Sequence, residues 1–346
     1  MADVAGLERL LQPILELHER IRAAVVDACT RQAAEQLASV AADEAGDTIY
    51  TIDRVGEDAL VRGLADLARD EPLCLVAEGL GGGGERASGS LVLPRGASEQ
   101  ACRWRLLVDP IDGTRGLMYQ KRSAWILTGV APNRGPGTRL RDMVLAVQTE
   151  IPLVKQHLSD QLWALRGRGM EARRFDRVAG TRAPLALRPS RADTVAHGFA
   201  TVVRLFPGAR DLLAAIDDEV MQTLVAPVPG RSTSFEDQYA STGGQLYELI
   251  AGHDRLVADL RPLVQPVRAA QGLPPVQCCH PYDLCASLIA EEAGVILTDV
   301  AGAPVDAPFD VTSEVAWVGY ANERLRARVE PVLRAALERR GLLSAR

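Results

Sequence analysis

Two aspartates three positions apart, Asp109 and Asp112, close an apolar run and open a Gly113-Thr114 turn in the string Trp104-Arg105-Leu106-Leu107-Val108-Asp109-Pro110-Ile111-Asp112-Gly113-Thr114. Leu106, Leu107 and Val108 read as a buried strand. Pro110 keeps Asp109 out of helical geometry, so the strand must end in an extended kink. Two carboxylates at a strand end, beside free backbone N–H groups and a hydroxyl, suit one task well: holding hard divalent cations against a phosphate. An isolated Asp-Gly-Thr is better read as an Asx-type turn; the whole string behind an apolar strand moves the reading to a cation site. Asp53, Glu78 and Asp283 also abut apolar elements. A lone acid in such a place is ordinarily a cap or a solvated residue, and five of them strain that account.

The elements that must position these acids follow from periodicity. Residues 7–42 carry apolar side chains at helical spacing (Leu7, Leu10, Leu11, Ile14, Leu17, Ile21, Val25), which predicts a long amphipathic helix, continuing as a second over 32–41. Residues 48–53 read as a short extended segment, 57–67 as a helix and 72–77 as a buried strand ending at Glu78. Gly79 and Gly81 to Gly84 open a loop or small hairpin. With no Lys-Ser/Thr after it, this is not a P-loop. Strands are predicted at 104–108, 124–131, 143–148 and 161–169, in an antiparallel or mixed sheet. The Arg-, Pro- and Ala-rich stretch 180–195 marks a boundary between lobes 1–190 and 191–346. Beyond it, strands (195–203, 254–260, 295–297, 315–320) alternate with helices (211–224, 238–250, 281–293, 325–337).

With 346 residues, 47% of them hydrophobic and 24% charged, the chain can bury a large core. A net charge of −6 argues against a nucleic acid polymer as partner. Lysine occurs only at Lys121 and Lys155, a bias with no mechanistic reading. The six cysteines form no zinc-like pairs. The start lacks a basic and an apolar signal region, and no window approaches the roughly 18 apolar residues of a membrane span. The expectation is a cytoplasmic, reduced protein without a membrane partner.

The string Asp109 to Thr114 resembles the first signature of the inositol monophosphatase superfamily, Mg²⁺-dependent, lithium-sensitive phosphatases. Tyr282-Asp283-Leu284-Cys285-Ala286-Ser287-Leu288-Ile289-Ala290-Glu291-Glu292-Ala293-Gly294 resembles the second. Weaker similarities lie at Thr51-Ile52-Asp53, at Glu78 and at Ser241-Thr242-Gly243. The resemblance spans residues 47 to 320. It implies a layered αβαβα sandwich, α+β to α/β in class, with a mixed, largely antiparallel N-terminal sheet and a smaller C-terminal α/β lobe. It implies that Glu78, Asp109 and the Ile111 carbonyl bind one Mg²⁺ and that Asp109, Asp112 and Asp283 hold a second, with room for a third near Glu78. Asp53 and Thr114 would activate the attacking water, and the Gly113 and Thr114 amides would grip phosphate.

The activity so implied is metal-assisted hydrolysis of a small phosphorylated sugar, polyol or nucleotide, by a homodimer. The alternative is a catalytically silent regulatory or scaffold subunit. The pattern lapses at Arg115-Gly116-Leu117, at Tyr282, at Val276 and at Gly79, so it assigns no particular substrate. Arg115 can meet a second anionic group of the substrate or a surface carboxylate. Ser190 and Arg191 can touch substrate, as in nucleotide-type members, or serve as a basic linker. Ser241, Thr242 and Gly243 complete the substrate-side candidates.

Overall fold

The computed structural model describes residues 4–32, 37, 39–44, 47–69, 71–77 and 90–344. Helix α1 runs Val4–Arg31, followed by strands β1 (Val40–Glu44) and β2 (Asp47–Tyr50), helix α2 (Thr51–Leu67), β3 (Leu73–Ala77) and β4 (Ser90–Leu93). Next come β5 (Trp104–Asp112), the short α3 (Thr114–Met118), β6 (Ala124–Pro132), β7 (Leu145–Ile151), β8 (Leu158–Leu165), β9 (Met170–Asp176) and β10 (Thr181–Pro184). The remainder holds β11 (Phe199–Val202), α4 (Arg210–Leu224), α5 (Thr242–Ile250), β12 (Asp254–Asp259), α6 (Gln265–Ala270), α7 (Ser287–Ala293), β13 (Ile296–Thr298), β14 (Trp317–Tyr320) and α8 (Glu323–Arg339).

Eight strands form one sheet in the order β10-β9-β8-β7-β6-β5-β3-β4, with β3 and β5 parallel and the other pairs antiparallel. Four form a second sheet, β11-β12-β14-β13. Both faces of the larger sheet are covered, so its central strands β5 to β7 are buried along nearly their whole length. Strand alternation sorts their side chains. Leu106, Val108, Ile126 and Val147 pack with α1 and α2, whereas Leu107, Trp125, Leu127 and Ala146 pack on the other side with α5 and α7. The far face of the smaller sheet meets α4 and α8 through Ile216, Val220, Leu325 and Val329. Helix, sheet, helix, sheet, helix is the resulting layering.

Several elements differ from the sequence reading. α1 stops at Arg31; of the second helix expected over 32–41, residues 33–36 and 38 lie outside the described residues and Leu37 is helical, while from Val40 the chain is strand β1, paired with β2. The extended segment ends at Tyr50, because the Asp53 side chain accepts the Tyr50 N–H at 2.8 Å and starts α2. The helix expected over 281–293 is a 3-10 turn, Pro281–Leu284, followed by α7. Between them Cys285 presses on β6, where a Cβ on Gly129 would meet the Cys285 carbonyl at 2.5 Å. The hairpin of β9 and β10 occupies part of the expected linker, its arginines masking the strand alternation.

Candidate active site

Every residue of β5 is buried, and β3 and β6 hold it from both sides. Pro110 has no N–H to donate to β6, and the register slips between Asp109 and Asp112. The Asp109 carboxylate accepts the Ile111 N–H at 2.9 Å across this kink. Gly113 then turns the chain at φ 95°, a conformation that favours glycine, and α3 begins.

Asp112 meets the start of α5. Its Oδ2 accepts the Ser241 hydroxyl at 2.8 Å and the Gly243 N–H at 2.5 Å, while Ser241 Oγ accepts the Gly244 N–H as the helix cap. Space there is tight. A Cβ on Gly113 would sit 2.9 Å from Ser241 Cβ, and one on Gly243 would sit 2.9 Å from Asp112 Oδ2. Asp283, in the 3-10 turn before α7, accepts the His280 N–H at 2.6 Å.

One carboxylate oxygen each from Asp109, Asp112 and Asp283 lies within 4.8 Å of the others, and no other trio of His, Cys, Asp or Glu side chains among the described residues converges so closely. Burial, then the charges of Asp112 and Asp283, hold the Asp109 pKa well above the usual carboxylate range. Burial and Asp112 do the same to Asp283. Asp112 rises to about 6, burial outweighing its hydrogen bonds from Gly243 and Ser241. None of the three makes an ion pair among the described residues; the nearby Arg261 is already bound by Asp259, Nε at 2.9 Å and Nη2 at 2.5 Å. Three crowded, uncompensated carboxylates offering only oxygen donors fit a hard divalent cation, whose charge removes the repulsion.

Thr114 Oγ1 stands 2.8 Å from both Asp53 Oδ1 and the Ile111 carbonyl, so its single proton serves one acceptor at a time. Arg115 lines the same cleft, its guanidinium 5.6 Å from the Tyr50 ring centre and 5.3 Å from that of Phe206. Ser241 and Thr242 line it as well. Glu78 lies outside the described residues. Ser190 and Arg191 are not brought to the cleft: the carbonyl of Ser190 accepts from Asn322 and that of Arg191 from Arg324, at the start of α8.

Arg261 and Phe206 are cleft residues that the sequence reading passed over. Asp259, closing the apolar β12, carried the same acid-at-a-strand-end signal as Asp109 and pointed toward Arg261.

Comparison with protein-family models and with curated proteins gave no match. Solved structures do match. Fructose-1,6-bisphosphatase of Leishmania major aligns over 97% of this chain and 95% of its own, with a TM-score of 0.68 and 12% identity. The extragenic suppressor protein SuhB of Bartonella henselae aligns over 94% and 98%, at 0.61 and 16%. A hypothetical protein of Pyrococcus horikoshii with similarities to inositol-1 monophosphatase aligns over 94% and 98%, at 0.60 and 15%. The chain has the inositol monophosphatase fold. At these identities the likeness establishes the layered architecture over nearly the whole chain; the acidic cluster rests on the geometry above. No helix among the described residues is long and apolar enough to cross a membrane.

Proposed function

We propose that this protein is a Mg²⁺-dependent phosphomonoesterase acting on a small phosphate ester. The observation that carries the reading is the convergence of Asp109, Asp112 and Asp283 within 4.8 Å at the end of β5, beside the Thr114–Asp53 pair. Asp109, Asp112 and Asp283 would hold the metal, with the Ile111 carbonyl and Glu78 as further ligands. Bound Mg²⁺ supplies positive charge to a phosphate dianion and lowers the pKa of a water. The chain's own part is positional. Asp53 accepts a proton through Thr114, whose hydroxyl is held between two acceptors. The Gly113 and Thr114 N–H groups, at the start of α3, receive phosphate oxygens. Ser241 and Gly243 lock Asp112 in one orientation. On this reading the chain divides into lobes near residue 190, and Asp283 from the second completes the site of the first.

The test is phosphate release from a panel of sugar, polyol and nucleotide monophosphates. Release is expected with Mg²⁺, is lost with EDTA, and is lost in Asp109→Asn. Activity that survives EDTA overturns the metal reading; a wild type that binds Mg²⁺ yet hydrolyses nothing across the panel supports a scaffold subunit instead.

A further inference from the structure

Far from the cleft, on the α1 side of β8 to β10, four arginines surround one glutamate. α1 lies across β6 and β7, so the outer strands β9 and β10 continue past it. Their register sets Arg182 opposite Phe175 and Pro184 opposite Arg173. The Glu19 carboxylate is shared by Arg173, at 3.0 Å, and Arg182, whose Nη2 lies 2.6 Å away. That leaves Arg22 and Arg177, neither of which makes an ion pair among the described residues.

Arg22 is 5% exposed. Its partners are neutral: the Ser159 hydroxyl at 3.1 Å and the Phe175 ring, whose centre is 4.6 Å from the guanidinium carbon. Arg182 rests on the same ring at 5.0 Å. Arg177 donates only to carbonyls, those of Gln156 at 2.7 Å and Leu153 at 3.3 Å. Burial lowers the Arg22 pKa to about 10, with Glu19 acting to raise it and Arg182, Arg173 and Arg177 acting against Glu19. A guanidinium cannot shed its charge at neutral pH, and a buried cation held outside any ion pair is costly, the more so here because Glu19 is already engaged by two other arginines. Clamping of Glu19 by two of these arginines shows that the patch already receives an oxyanion in fork geometry.

We propose that Arg22 and Arg177, rimmed by Arg173 and Arg182, form a binding site for a phosphate-type oxyanion on the flank of the larger sheet, separate from the acidic cleft. Glu19 and Glu16 are the acids facing it from α1, too few to neutralise four guanidiniums. The site's cation-rich character makes it independent of metal, which separates it from the catalytic reading: in EDTA the cleft carries uncompensated carboxylates and repels phosphate.

The experiment is a titration of full-length protein in EDTA with pyrophosphate, read by calorimetry and by thermal shift. The expected result is saturable binding that weakens at least tenfold in Arg22→Met and in Arg177→Met, with Arg22→Lys retaining part of it. Arg177 is bonded only to loop carbonyls, so Arg177→Met keeps the test decisive if Arg22→Met fails to fold. Mg²⁺ binding in both variants is expected to match the wild type. Absence of binding to the wild type, or equal binding by wild type and Arg177→Met, overturns the proposal. So does displacement by chloride at the ionic strength that merely screens charge, the mark of an adventitious ion only.

Discussion

Gly113→Ala tests the coupling between the β5 turn and α5. Two costs follow from the structure. Alanine at φ 95° pays for a left-handed backbone, roughly 1–2 kcal/mol. Its Cβ would also stand 2.9 Å from Ser241 Cβ, where carbon atoms rest at about 3.5–4.0 Å, so Ser241 must yield by roughly half an ångström or more. Overpacking of this kind costs about 1–3 kcal/mol. The direction of the yield matters, since Ser241 both caps α5 and donates to Asp112. The total expected loss is about 2–5 kcal/mol, and Mg²⁺ affinity falls with it as Asp112 loses its fixed orientation. Gly272→Ala is the control: φ is 68° and a Cβ there meets nothing within 4 Å, so it reports the backbone cost alone. Urea denaturation of both variants, with magnesium calorimetry, separates the terms. If Gly113→Ala is no less stable than Gly272→Ala and binds Mg²⁺ as the wild type does, the argued contact between the turn and α5 is refuted.

Two further outcomes follow from buried charge. Asp109→Asn is expected to stabilise the metal-free protein while abolishing metal-dependent activity. Unit charges 4.8 Å apart repel by about 3.5 kcal/mol at an effective dielectric of 20, so relief on the order of 1–3 kcal/mol is expected. Because these carboxylates have raised pKa values, their destabilisation grows as pH rises above about 3.8, and the gain from Asp109→Asn must be larger at pH 8 than at pH 4. A variant less stable than the wild type in EDTA at pH 8 contradicts this. His18 works in the opposite sense. It is fully buried between the Thr149 and Thr128 hydroxyls, and burial, aided by Arg22, lowers its pKa to about 3. The unfolded chain takes up that proton near pH 6.5, so stability falls below that pH, by about 2.5 kcal/mol at pH 4.5. His18→Gln should flatten this part of the denaturation profile; parallel profiles for the two proteins would count against it.

What the sequence determined by itself is everything set within a few residues. Pro110 and Gly113 impose the kink and the turn on Asp109 to Thr114 wherever the chain lies, and the apolar run before them can only be a buried strand. Helices α4 and α8 are equally local, written in a 3.6-residue period. Tertiary structure decided how the acids meet. The resemblance of Tyr282 to Gly294 to a family signature groups Asp283 with Asp109 and Asp112, but no local pattern near Asp283 gives their approach within 4.8 Å, and nothing near Ser241 says that its hydroxyl binds Asp112. Those pairings depend on how two sheets and the helices between them stack, a property of the whole core. The same holds for β9 and β10, where edge arginines hide the strand period, and for Arg22, an unremarkable helix residue until β8 and β9 bury it against a neutral hydroxyl and a ring. Local sterics are legible in a sequence because the chain's own neighbours impose them. Charge and burial are not, because they are imposed by residues that only the fold makes neighbours.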